Sequence, residues 1–358
     1  MANRYTRAEA RSVSFHFKRA MEAEQIRLAI ENGVPVPSEP WRYQIFLPEI
    51  FSLSENFEQS NQCLNLIREM GLNARYPILL RLENLKSIDP TAALVLVAEI
   101  YRCRHLRAHR SGTFITGTYP RDLPICRSLA NMGFFQLLKV SPKDDPEQDV
   151  SEDLLPIYLK FHTANQILSP LVQGFVSVIE RHVIKLDEVA RGRLIGAIIE
   201  AMSNSWEHAY SKTTPCQSMR RRWWLGCEVR LAEHETTVML CDQGVGISAT
   251  LEPTRWEAFK RSSGLTFLGA SEVDGYMIKA ATELYRTGTG QASRGRGFRD
   301  MKRFVDLCSE GSLRILSNKG WYTYINGVEE YGVNPTSIHG TVIEWRFRSA
   351  TELVMVDA

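Results

Sequence analysis

Between Trp41 and Val140, short apolar runs alternate with longer amphipathic ones, the pattern of strands separated by helices. Tyr43-Gln-Ile-Phe-Leu47, Ile78-Leu-Leu-Arg-Leu82 and Thr113-Phe-Ile-Thr116 predict strands, and Asn61 to Met70 predicts a helix. A second helix opens at Thr91. Its segment Ala92-Ala-Leu-Val-Leu-Val-Ala-Glu-Ile100 is apolar almost all round, which predicts deep burial. A third runs from Arg121 to Asn131 and stops at Gly133. This order predicts a small α/β layer domain over residues 41–141. Residues 1–40 read as a helical arm with a weak apolar face, ended by Asn32-Gly33 and Pro35. The charged stretch from Pro142 to Asp153 predicts a linker over 142–158.

A long helical region follows from about Thr163 to Tyr210, broken near Leu186-Asp187. Strands are predicted at Cys227–Leu231, Thr237–Cys241, Leu313–Leu316 and Thr341–Phe347; the first and last alternate cleanly. Helices followed by strands predict an α/β sandwich over 159–350, with helices on one face of a mixed sheet, then a tail at 351–358. The span from Ile247 to Gly295 is too long for a plain loop. It is read as an extended lid, about 248–294, with helices at Arg255–Lys260 and Ser271–Tyr285.

Composition narrows the function classes. A chain of 358 residues can hold two cores, and no apolar run approaches the ~20 residues of a membrane-spanning helix. Seven cysteines include no Cys-x-x-Cys pair, and several lie in apolar runs, which reads as buried thiols in a reducing compartment. A net charge of +2 gives no global argument for nucleic acid or membrane. The expected location is cytoplasmic.

Three segments carry chemistry. Glu200, Asn204 and His208 are spaced four apart and share one stripe of a helix. There Asn204 could offer its oxygen to Mg²⁺, and Glu200 could polarise an attacking water or hydroxyl. A solvated polar stripe would have the same spacing. Asp242 ends the apolar run Val238-Met-Leu-Cys241 and precedes Gly244-Val-Gly246-Ile247. A buried carboxylate there needs a donor, and the exocyclic amine of adenine is one. Finally, Arg294-Gly295-Arg296-Gly297-Phe298 leads into a helix, so amide N–H groups and the helix dipole would face an anion. Arg294 and Arg296 would add charge or face solvent.

Together the segments resemble the three nucleotide-binding boxes of the GHKL ATPases, over roughly residues 160–350. That resemblance implies a Bergerat fold binding ATP and Mg²⁺. Glu200 would be general base and Asn204 the magnesium ligand, with His208 beside them. Asp242 would bind adenine in a loop shaped by Gly244, Gly246 and Ile247. Gly295, Gly297 and their neighbours would contact phosphates, and Thr341 would help hold adenine through water. The pattern is most similar to the anti-sigma-factor serine kinases, although Ser205 stands where they carry alanine and Trp206-Glu207 is unusual. Residues 41–141 resemble the STAS domain of anti-sigma-factor antagonists, through Ile78–Leu82, Ile88–Ala92 and Leu129–Leu138. Pro90 occupies that family's phosphoserine position, and Thr91 reads as a helix cap. A protein partner reached through the STAS-like module or the lid is therefore expected, and a homodimer is compatible.

Competing motifs are weaker. Met219-Arg-Arg-Arg-Trp-Trp224 could suit single-stranded nucleic acid, but the tryptophans read as cover for a sheet edge. His105 and His109 lack a third metal ligand, and His182 lacks the helical bundle of a histidine kinase. Two functions stay open: an enzyme that hydrolyses ATP or phosphorylates a partner, and a non-catalytic ATP-gated binding module in a partner-switching or phage-defence system.

Overall fold

The computed structural model describes residues 36–38, 42–73, 77–106, 115–140, 156–182, 186–210, 218–263, 273–283 and 297–348. Arm residues 1–35, linker residues 141–155 and the tail lie outside them. The first unit comprises β1 (Val36–Ser38), β2 (Arg42–Phe46), β3 (Ile50–Phe51), α1 (Phe57–Asn73), β4 (Ile78–Arg81), β5 (Ser87–Ile88), α2 (Pro90–Leu106), β6 (Ile115–Gly117), α3 (Leu123–Asn131) and α4 (Phe134–Leu137). Its sheet has the order β1-β2-β4-β6; β2, β4 and β6 are parallel, and β1 adds an antiparallel edge. Residues 36–38, read from the sequence as part of the arm, thus belong to this sheet. Pro37 is tolerated because β1 is an edge.

Helix α2 is buried from Pro90 through Ile100, and its two sides face different neighbours. Leu96 and Ile100 face Leu80, Leu82 and Ile115 of its own sheet. Val95 and Ala98 face Cys241, Gln243 and Ile338 of the second unit. An all-round apolar helix is what such double cover requires. Asp89 begins it: Oδ1 accepts from the amide of Ala92 at 2.6 Å and Oδ2 from that of Leu53 at 2.8 Å. Thr91 is therefore not the cap. Its buried hydroxyl donates to Glu344 Oε2 in the second unit at 2.5 Å.

The second unit contains β7 (Ile157–Ala164), α5 (Ser169–His182), α6 (Glu188–Glu207), β8 (Trp223–Arg230), β9 (Glu235–Asp242), α7 (Ile247–Thr250), α8 (Pro253–Ser262), α9 (Val273–Glu283), α10 (Gly297–Val305), β10 (Glu310–Ser317), β11 (Gly320–Ile325), β12 (Val328–Val333) and β13 (Thr341–Arg348). Seven strands form one sheet, ordered β12-β11-β10-β13-β9-β8-β7. The sheet is not mixed: every neighbouring pair is antiparallel. The helical connection from β9 does bring β10 back parallel to β9. The last strand, β13, then inserts between them and makes both contacts antiparallel.

The reading from the sequence missed β7, which begins inside the assigned linker, and the hairpin β11–β12. Helices α5, α6, α9 and α10 cover one face over a core that includes Trp223, Leu240, Ile315 and Trp345. The opposite face presents Trp224, Met239, Cys241 and Val342 to the first unit's core. Strands β8 and β9 are buried almost throughout because both faces are covered. Trp223 and Trp224 therefore lie inside the molecule, not at a sheet edge, and offer no stacking platform to a nucleic acid. Among the described residues no helix is long and apolar enough to cross a membrane, and no cluster of His, Cys, Asp and Glu is arranged to hold a metal.

Candidate functional site

Helix α6 is fixed at its start by Asp187, whose Oδ1 accepts from the amide of Ala190 at 2.7 Å. Its small residues Ala197, Ala201 and Ser205 recur every four positions and are buried, which lets the helix approach the sheet closely. The adjacent stripe then carries Glu200, Asn204 and His208 along one wall of a cavity of about 400 Å³. That volume lies in the range of small-molecule sites. Asp242, at the end of β9, and Thr341, its register partner at the start of β13, line the same cavity. Gly246 and Ile247 contribute from the following loop, and Phe298 from the first turn of α10. Gly297 starts that helix. Arg294, Gly295 and Arg296 lie outside the described residues.

The loop after Asp242 is held from three sides. Val245 N–H donates to the Ala209 carbonyl at 2.7 Å, Ile247 N–H to Ser317 Oγ at 2.8 Å, and Asn318 Nδ2 to the Val245 carbonyl at 2.9 Å. Gly244 is not in the cavity wall. It closes the loop instead, since a Cβ there would collide with the Ala209 carbonyl oxygen. Gly246 has φ of 82°, the left-handed region that favours glycine. Below the loop, Tyr210 donates its hydroxyl to the Arg222 carbonyl at 2.6 Å and accepts from Gln243 N–H at 3.0 Å.

Asp242 is 7% exposed, and burial raises its pKa from 3.8 to about 6. Three donors oppose that rise: the amide of Gly244 at 2.9 Å, Ser205 Oγ at 3.0 Å and the backbone of Thr341. Carboxylate oxygens carry about four acceptor positions, so the three donors among the described residues do not fill them. Glu200 is half-buried, and its pKa is raised first by burial and then by the negative charges of Asp300 and Glu207. Asp300 itself pairs with Arg193 at 2.7 Å, tying α10 to α6.

Sequence reasoning noticed Ser205 and Glu207 only as departures from a family pattern. Ser205 bonds Asp242, and Glu207 and Glu252 line the cavity. The small-residue stripe Ala197-Ala201-Ser205 was the available signal for Ser205. Within the assigned lid, Thr250, Leu251 and Glu252 reach the cavity, and so does Ala281 of α9. Helix α9 is not a loose flap, since its Ile278 is buried in the core against the sheet. Of the described lining side chains, four are carboxylates (Glu200, Glu207, Asp242 and Glu252) and only His208 can be cationic.

Asn204 offers an amide oxygen, a donor type that hard divalent cations take, but the carboxylates in the described lining do not converge into a metal site by themselves. The buried acceptor Asp242, beside backbone too tight for a side chain, is suited to the N–H edge of a flat base. A comparison with protein-family models and with curated protein sequences finds no match.

Proposed function

We propose that the chain is a Mg²⁺-dependent ATP-binding regulator of the GHKL type, with a Bergerat-like second unit and a STAS-like first unit. One observation carries this reading: Glu200, Asn204, Asp242, Gly246, Phe298 and Thr341, chosen from three separate segments and the start of the last strand, surround one cavity. The sheet order, with β13 inserted between β9 and β10, and the parallel β2-β4-β6 arrangement are compatible with the two folds.

In this reading Asp242 accepts from the adenine amine and discriminates against guanine, which offers a carbonyl at that position. Asn204 would hold Mg²⁺, whose charge offsets the phosphates in a cavity rich in carboxylates. Glu200 takes the proton from the attacking water or hydroxyl, and its raised pKa makes it a better base for that task. Phe298 lines the cavity from the first turn of α10, and the N-terminus of that helix would face the phosphates. A protein partner remains part of the proposal. The N-terminal end of α2, where STAS proteins are phosphorylated, is buried here against the sheet, so a partner would meet the lid or another face. A homodimer is compatible with this reading.

Glu200→Ala should spare nucleotide binding and lower γ-phosphate release or transfer by about 10²–10⁴-fold. The check is to follow free phosphate and protein-bound label together from γ-labelled ATP. Full turnover by the variant would remove Glu200 from this role. A second reading, with ATP as a conformational ligand only, is favoured by the contact between the cavity loop and the first unit.

A further inference from the structure

Asp242 and Gln243 are consecutive, and they face opposite sides of the sheet. Asp242 lines the cavity, whereas Gln243 enters the contact with the first unit and donates from Nε2 to Glu99 Oε2 at 3.1 Å. Glu99 lies on α2 and is 1% exposed, so its carboxylate is fixed by what surrounds it. Arg68 Nη2 donates to it at 2.8 Å, and Arg102 pairs with it from the next turn of the same helix. The same Arg68 nitrogen reaches the carbonyls of His339 at 3.3 Å and Ile338 at 3.5 Å. These carbonyls belong to the loop that delivers Thr341 to the cavity. Asn61 and Asn65 of α1 also hold that loop, through Thr336 and Ser337.

One cluster on the first unit thus grips both strand ends that form the cavity floor. Those ends cannot move independently. Gly340 has φ of 143°, and a Cβ on it would collide with the Asp242 carbonyl oxygen. The contact is also incompletely satisfied. Gln243 Oε1, Arg68 Nε and Nη1, and Asn61 Oδ1 are buried without a hydrogen-bond partner among the described residues. Unpaired groups of this kind gain by meeting water, so this contact is less committed than a core and suited to a changeable one.

From this geometry, and resting on the nucleotide reading above, we infer that Gln243 is a positioning residue through which the first unit sets the affinity of the nucleotide site. Docking of α2 holds Gln243, and with it the Asp242 loop, in the arrangement that receives the base. By linkage, nucleotide binding tightens the docking of the first unit by the same factor. The two sites are joined by one peptide unit, so no extended pathway is needed.

A charge-swap series on the full chain tests this. Gln243→Glu sets two carboxylates against each other and should weaken Mg·ADP binding, measured by calorimetry, by about tenfold or more. Adding Glu99→Gln restores a donor facing an acceptor and should bring affinity back to within about threefold of wild type. In parallel, Mg·ADP should slow amide exchange in α1 and α2 of wild type and of the double variant, but not of Gln243→Glu. Gln243→Ala, with no repulsion to relieve, controls for folding by its melting temperature and should lose the exchange response. Wild-type affinity in Gln243→Glu, an uncorrected loss in the double variant, or an unchanged exchange response in Gln243→Ala would each overturn the coupling. No Mg·ADP binding by wild type would instead defeat the nucleotide reading, and the coupling with it.

Discussion

Asp242 meets two opposed demands. Ionised, it is the acceptor that a base N–H requires; buried, the ionised form is disfavoured, and its pKa rises from 3.8 to about 6. Because the folded value exceeds the unfolded one, the folded chain binds more protons between about pH 4 and 6. Stability from this group is therefore fully present below about pH 4 and falls as pH rises toward about 6. Above that, the penalty is about 1–3 kcal/mol at neutral pH. An asparagine in its place would carry no such penalty: the amide can donate to Ser205 Oγ, which is free to turn its own hydrogen to the Ala201 carbonyl 3.1 Å away. Asp242→Asn should thus raise the melting temperature of the ligand-free protein at about pH 7.5, with the gain vanishing below about pH 4, while weakening ATP binding. Thermal melts across pH, paired with calorimetry, check both halves. A destabilised variant with undiminished affinity would contradict this account of the residue. Asp242 was legible in the sequence as an acid closing an apolar strand. The role of Ser205 was not, since a lone serine in a helix has no partner until β9 is packed against it.

At the scale of elements, the expected helix is present as α6, with Glu200, Asn204 and, at its C-terminal cap, His208 all lining the cavity, and the break at Leu186-Asp187 became its N-terminal cap. That N-terminal cap is worth about 1 kcal/mol. Asp187→Ala should lower stability by that amount in a denaturant melt and leave the nucleotide affinity unchanged, because the cap is more than three turns from Glu200. A shift in affinity with no loss of stability would argue against rigid support by the helix. Other elements were missed for definable reasons. Strand β7 has a mixed Tyr-Leu-Lys-Phe-His pattern beside a charged stretch, and it fell between the assigned linker and the helical region expected from about Thr163. The β11–β12 hairpin was legible, since Asn326-Gly327 has φ of 48° and 84° between two six-residue strands. An Asn-Gly pair between such strands is the strongest short hairpin signal. The mixed sheet was a mistaken inference from connectivity, because sequence order does not reveal that β13 comes back between β9 and β10.

For the whole molecule, the defining feature is that the seven-stranded sheet is covered on both faces, by its own helices and by α2 of the first unit. The sequence announced the double burial of α2 through its unbroken apolar run, but not what lay on its second side. Nor did it reveal that Thr91 and Glu99 reach across to Glu344 and Gln243. Such contacts pair residues more than a hundred positions apart, and no local pattern encodes them. The same architecture places the cavity among the helices on the face of the sheet away from α2, with four carboxylates among its described lining. In the nucleotide reading proposed above, the anionic ligand would need a cation with it, and its base would need an N–H for Asp242. The most direct measurement is a calorimetric titration of the full chain with ATP and with GTP, each with and without Mg²⁺. Saturable binding of one ATP per chain, dependent on Mg²⁺ and at least about tenfold tighter than GTP, is the predicted result. No saturable ATP binding, or equal affinity for GTP, would contradict the assignment of this cavity as an adenine-nucleotide site.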